Sequence, residues 1–141
     1  PSDVKTRDRN FTLAEIWLRY GGRGITLTNT LPIPDGRMPP DHSGNRTGGL
    51  SGGELYPISI LNLREFYGEF MKRKPRPIIN YVGGAYPENI SEILEIGRPH
   101  TIQILTSFIY EGPLVVRRIK EEIVRFLDIH HYDTYQEFLK S

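Results

Sequence analysis

The stretch Pro77-Ile78-Ile79-Asn80-Tyr81-Val82, running straight into Gly83-Gly84, decides the fold. A short β-branched and aromatic run closed by glycines reads as a strand with a tight turn at its end. Directly after it, Ile90, Ile93 and Leu94 recur at helical spacing, which predicts a helix from about Pro87 to Ile96, with Gly97 as its stop. Thr101-Ile102-Gln103-Ile104-Leu105 is then the next strand.

Upstream, the same alternation holds. Ile25-Thr26-Leu27-Thr28 reads as a strand, and Ile58, Leu61, Leu63, Phe66 and Phe70 predict a helix over residues 57–70. Before it, Leu13, Ile16, Trp17 and Tyr20 form the stripe of a short helix that Thr12 caps and Gly21-Gly22 ends. Residues 1–11, polar and unpatterned, read as a loop. Downstream, a helix is expected over about 113–127 and a short one over 134–139.

The order is α-β-α-β-α-β-α, with strands that are apolar rather than alternating. Such strands between helices predict an α/β fold with a parallel sheet covered on both faces. Three strands cannot close a cylinder, and a (β/α)8 barrel takes about 250 residues. The 141-residue chain is therefore expected to be part of a TIM barrel, not a complete domain alone. It begins with Pro1 rather than methionine, as expected of a processed or excised segment.

Composition narrows the partners. With 18 basic and 17 acidic residues, the net charge is +1, and no dense basic block exists to neutralise phosphates of a nucleic acid. The run Lys72–Arg76, broken by Pro75, reads as a helix end and solvated turn. Without cysteine there is no disulfide framework and no thiolate zinc site. His42, His100 and the adjacent His130-His131 form no ligand constellation, so no metal is expected. No secretory signal and no apolar stretch of about 18 residues is present. A cytoplasmic location follows as the expectation, with peripheral membrane attachment through a segment absent here as the alternative.

In parallel α/β architecture ligands lie at the carboxyl ends of the strands. Those ends read Thr28-Asn29-Thr30, Val82-Gly83-Gly84 and Leu105-Thr106-Ser107, all small, hydroxyl or amide groups. Gly83-Gly84 fits either an anion-binding turn or a plain tight turn. Asn29 suits a planar heterocycle or a carboxylate, and equally a turn position. Residues 29–56, a long glycine- and proline-rich segment, carry Gly48-Gly49-Leu50-Ser51-Gly52, which reads as a phosphate cradle or a flexible lid. Ser51 has no base near it in sequence and is not read as a nucleophile.

Taken together, Thr28-Asn29-Thr30, Thr47-Gly48-Gly49-Leu50-Ser51-Gly52, Ile78-Ile79, Val82-Gly83-Gly84, Gln103-Ile104-Leu105-Thr106 and Glu111-Gly112-Pro113 resemble the C-terminal half of dihydroorotate dehydrogenase, nearest the quinone-linked class. The resemblance runs from about Ile25 to Leu127. It implies an FMN-dependent barrel that oxidises dihydroorotate to orotate in pyrimidine synthesis, with a quinone or another electron acceptor. It further implies that Thr28 contacts the flavin, that Asn29 and Thr30 contact the substrate, and that Gly52, Gly83, Gly84, Leu105 and Thr106 hold FMN and its phosphate. The family's catalytic Ser or Cys and its flavin-contacting lysine lie upstream, and neither motif occurs here. The base is thus expected on a complementary N-terminal half of the barrel, in the same or a separate chain. A non-catalytic binding subunit of the same ancestry and an unrelated phosphate-binding barrel are the other readings.

Two positions depart from the family's usual pattern. Tyr81 stands where glycine is usual and Leu105 where tyrosine is usual. Tyr81 is tolerable in extended backbone but would cost about 1–2 kcal/mol in a left-handed conformation.

Overall fold

The structure, a computed structural model, describes residues 4–32 and 48–141; His42 and Thr47 lie outside them. Helix α1 (Val4–Arg19) leads into strand β1 (Gly24–Leu27). A two-residue antiparallel pair, β2 (Leu31–Pro32) with β3 (Gly49–Leu50), precedes a 3-10 turn (Gly52–Leu55) and helix α2 (Tyr56–Phe70). Strand β4 (Ile78–Val82), helix α3 (Ile90–Gly97) and strand β5 (Thr101–Gln103) follow. Helices α4 (Thr106–Glu111), α5 (Leu114–Ile129) and α6 (Tyr135–Lys140) close the chain.

The sheet is parallel, in the order β1-β4-β5, so β4 is central and β1 and β5 are edges. Its register sets Thr26, Asn80 and Thr101 side by side, and Leu27, Tyr81 and Ile102 in the next row. Because side chains alternate along a strand, the second row faces the helices and the first faces away. On the helical side Ile79 and Tyr81 pack with Leu63 and Phe66 of α2, Ile93 and Leu94 of α3, and Val115 and Phe126 of α5. Tyr81 has no exposed surface and lies among neither of the left-handed non-glycine residues, so it sits there without backbone strain.

Several expectations change. The described residues cover only one face of the sheet. Its other face carries Thr26, Asn80, Thr101 and Gln103, with Asn80 accepting from the Thr101 hydroxyl (2.8 Å). That side corresponds to the inside of a barrel, which branched aliphatic residues usually fill. Helix α1 begins at Val4, within the stretch expected to be loop, and Thr12 lies inside it rather than capping it. Nothing between residues 4 and 19 breaks a helix, since neither Gly nor Pro occurs there. The face of α1 that packs is also a different one. Phe11 meets Phe70 (ring centroids 5.8 Å) and Ala14 and Leu18 follow it onto the core, while Leu13, Ile16, Trp17 and Tyr20 stay exposed beside the β1 edge.

Strand β5 ends at Gln103, and α4, which apolar patterning missed, begins three residues later. The long segment after β1 is not structureless: β2, β3 and the 3-10 turn occupy its described parts. Gly97 lies inside α3, where an added Cβ would come within 2.3 Å of Leu63, and the left-handed turn falls on Arg98 (φ 41°). Gly97 therefore serves close helix packing, and Arg98 ends the helix. Among the described residues no helix is long and apolar enough to cross a membrane.

His100 fastens the start of β5 to β4. Its backbone N–H donates to Ile79 O (2.7 Å), and its Nδ1 accepts from Ile79 N–H (3.2 Å). Partial burial holds its pKa below the usual histidine value, so the native state keeps the neutral ring that this acceptor requires. The unfolded chain binds this proton more readily. The stabilisation is complete above about pH 6.5 and is lost as pH falls toward the depressed native value. Chemical denaturation should show a midpoint that drops from pH 8 to pH 5, with a smaller drop in His100→Asn; equal drops in the two proteins would contradict this role.

Candidate functional site

The carboxyl ends of the three parallel strands open into one hollow of about 360 Å3, floored by Thr26 and Gln103. All eight residues singled out in the sequence line it: Thr28, Asn29 and Thr30 after β1, Gly52 in the 3-10 turn, Gly83 and Gly84 after β4, and Leu105 and Thr106 after β5. Ser51, Leu55, Val82, Ala85, Ile104 and Ser107 complete the wall.

The loop tips meet closely because they lack side chains. Gly52 has φ +72°, and a Cβ there would stand 2.7 Å from Thr106 Cγ2. Gly84 has φ +75°, and its Cβ would stand 2.4 Å from the Gly52 carbonyl oxygen. Only glycine allows both the left-handed backbone and this approach. Thr106 adds a cross-link from the third tip, its hydroxyl donating to Ser51 Oγ (3.1 Å).

On the opposite rim, the Thr28 N–H donates to Val82 O (2.7 Å), extending the strand pairing by one rung. The Thr28 hydroxyl accepts from Asn62 Nδ2 (3.0 Å), which fixes its orientation from α2. Asn29 Oδ1 accepts from the Thr30 N–H (2.8 Å), a local turn that leaves the amide NH2 for other acceptors. Leu105 projects from the rim with 69% of its surface exposed, so it contributes apolar surface there and no hydrogen bond from its side chain.

Among the described residues, no ionisable side chain lines the hollow. An anion here would be held by backbone amides and hydroxyls, not by a counter-charge, and proton transfer would need a group from elsewhere. Apolar walls with a few converging polar groups are the usual make-up of a small-molecule site.

Three supporting residues, Ser59, Asn62 and Asn89, escaped the reading of the sequence, and so did the hydrogen bond of Tyr81. Ser59 Oγ donates to Gly83 O (2.6 Å), the Tyr81 hydroxyl donates to the same oxygen (2.8 Å), and the two hydroxyl oxygens lie 2.8 Å apart. Burial pushes the Tyr81 phenol up to about 12, so it remains a donor at any physiological pH. Asn89 Nδ2 donates to Gly84 O (2.8 Å), and its Oδ1 accepts from Tyr86 N (2.9 Å), clamping the next peptide. Asn62, already placed on the Thr28 hydroxyl, is the third. A signal for Ser59 was available: it sits in the helical series Ser59, Leu63, Phe66, Phe70, a polar member of a buried stripe.

Comparison with known proteins identifies the family. The family model described as dihydroorotate dehydrogenase matches residues 14–127. A protein of Aeropyrum pernix, named for the fumarate-linked A type, is 31% identical over 94% of this chain and 42% of its own length. A dihydroorotate dehydrogenase (quinone) of Coxiella burnetii is 34% identical over 78% of this chain and 30% of its length. Among solved structures, ligand-free dihydroorotate dehydrogenase from Eimeria tenella superposes with TM-score 0.68 and 28% identity, over 89% of this chain and 34% of that one. The chain thus spans about a third to two fifths of the length of these relatives, and its three-stranded sheet with helices is a portion of their barrel. With a family model covering most of its residues and relatives above 30% identity, the chain belongs to the dihydroorotate dehydrogenase family.

Proposed function

We propose that this chain supplies the FMN-phosphate and substrate contacts of a dihydroorotate dehydrogenase that forms orotate for pyrimidine synthesis. The observation that carries this reading is the convergence of Gly52, Gly84 and Thr106 in a hollow whose described lining has no ionisable group. Phosphate sites in such barrels are commonly built from the loops after the last two strands and a short extra helix. Here those parts are the turns after β4 and β5, and α4.

The residues present fit the cofactor. Gly52, Gly83, Gly84, Leu105 and Thr106 would hold FMN through its phosphate, with small or hydroxyl side chains where the phosphate must approach backbone. Thr28, oriented by Asn62, would flank the flavin, and Asn29 and Thr30 would bind the pyrimidine. When bound, FMN supplies the acceptor of the two electrons removed from dihydroorotate. The protein's part is to hold the substrate beside it. In this reading the proton at C5 leaves to a base from the complementary part of the barrel, since none of the described lining residues is ionisable. The exposed Leu13, Ile16 and Trp17 beside β1, an edge strand whose Gly24 O accepts from Trp17 Nε1 (3.1 Å), fit docking of that part. A quinone or another electron acceptor completes the reaction in this reading, the relatives being named for quinone and for fumarate.

The test is turnover. Protein containing this chain and the preceding barrel strands, loaded with FMN, should convert dihydroorotate to orotate with a dye or quinone acceptor. Absence of turnover in FMN-loaded protein would overturn the enzymatic reading in favour of a binding subunit.

A further inference from the structure

We infer that Ser59 and Tyr81 are positioning residues: by holding the Gly83 carbonyl they aim the Gly84 N–H into the hollow as an anion donor. For its ligand this rests on the flavin-phosphate reading; its geometry stands independently.

The inference starts from peptide geometry. The Gly83–Gly84 bond is not among the cis peptides of the chain, so its C=O and N–H point in opposite directions within one plane. The Gly83 carbonyl is drawn toward two hydroxyls, Ser59 at 2.6 Å and Tyr81 at 2.8 Å. Both residues are fully buried on the helical side of the sheet, and neither lines the hollow. The N–H of Gly84 on the other side of that plane is therefore directed away from them, toward the hollow that Gly84 lines.

Glycine backbone needs such a device. Gly83 (φ +130°) and Gly84 (φ +75°) are consecutive residues with the least conformational restraint of any pair, so an unheld peptide between them could rotate and present its carbonyl to an anion instead. A carbonyl oxygen has two lone pairs, and two buried donors occupy both. Asn89 performs the same service one peptide later, on Gly84 O. Tyr81 thus does more than fill space where the family usually has glycine: its hydroxyl joins Ser59 in holding the turn.

The two donors are partly redundant, which gives a distinctive test. Ser59→Ala, Tyr81→Phe and the double variant are compared in the protein as purified. The readouts are amide hydrogen exchange at Gly84 and FMN affinity by fluorescence titration. Each single variant should speed exchange at Gly84 a few-fold. The double variant should speed it, and weaken FMN binding, by more than the product of the singles, reaching at least about tenfold, the worth of one net hydrogen bond. Ile93→Val, a core change outside this contact, should lower the denaturation midpoint yet leave both readouts unchanged, which separates positioning from mere stability. If the double variant does not fold, faster exchange at Gly84 in Tyr81→Phe, which keeps the ring, supports the inference, and unchanged exchange overturns it. Wild-type exchange and affinity in the double variant would also overturn it. If wild-type protein binds no FMN, the flavin reading fails, and exchange at Gly84 alone decides whether the hydroxyl pair holds the turn.

Discussion

Replacing Tyr81 by glycine, the residue usual in the family at this position, should destabilise the protein by about 4 kcal/mol. Removal of a fully buried aromatic ring typically costs about 3–5 kcal/mol, because the cavity collapses only in part. Tyr81 has no exposed surface and packs between α2 and α3 on the central strand, where collapse is least available. Glycine inside a strand adds up to about 1 kcal/mol of backbone entropy, and one of the two donors to Gly83 O is lost. Against a total stability of about 5–15 kcal/mol for a domain of this size, the effect is large. Tyr81→Phe keeps the ring and should cost only about 1 kcal/mol, the net worth of the hydrogen bond. Equilibrium denaturation measures both. A Tyr81→Gly midpoint within experimental error of the wild type would mean that the ring is not packed as described.

Much of this was legible in the sequence, and the failures have physical causes. Helices α2 and α3 follow from apolar periodicity, because each buries one face and the pattern records it, while β1 and β4 were legible as short β-branched runs ended by turn residues, which do not show how many faces are covered. Helix α1 was half legible. Its Leu13, Ile16, Trp17 and Tyr20 stripe is apolar yet faces outward, while the packing face of Phe11, Ala14 and Leu18 is sparser and was overlooked. A periodic stripe shows that a helix has an apolar face, not which surface covers it. Helix α4 left no pattern, since Phe108, Ile109 and Tyr110 are consecutive and all exposed. At the candidate site seven of the singled-out lining residues were legible because strand ends in parallel sheets gather by topology, and Gly52 through its glycine cluster. Ser59, Asn62 and Asn89 were not, because each reaches the site from a neighbouring element across a distance that only the fold specifies.

The second large effect concerns Gly84. An alanine Cβ there would stand 2.4 Å from Gly52 O and 2.9 Å from Tyr56 Cβ, in a left-handed backbone. The first obstacle is backbone and cannot swing aside, so the Gly52 and Gly84 turns must separate. The left-handed conformation alone costs about 1–2 kcal/mol for a residue with Cβ. If FMN phosphate bridges these turns, Gly84→Ala should weaken FMN binding at least about 100-fold, equivalent to about 2.8 kcal/mol. Gly53 is the internal control. A Cβ there meets only Tyr86 Cε2 at an ordinary 3.7 Å, so Gly53→Ala should bind FMN almost as the wild type does.

That comparison tests the central claim most directly, because both glycines belong to the same pair of turns and only one lies where the strand tips meet. Titration of FMN into wild-type, Gly53→Ala and Gly84→Ala protein, each carrying the complementary barrel strands, should give one FMN per chain in the first two and loss of binding in the third. Equal FMN affinity in all three, or none in the wild type, would contradict a flavin-phosphate site at the ends of β1, β4 and β5.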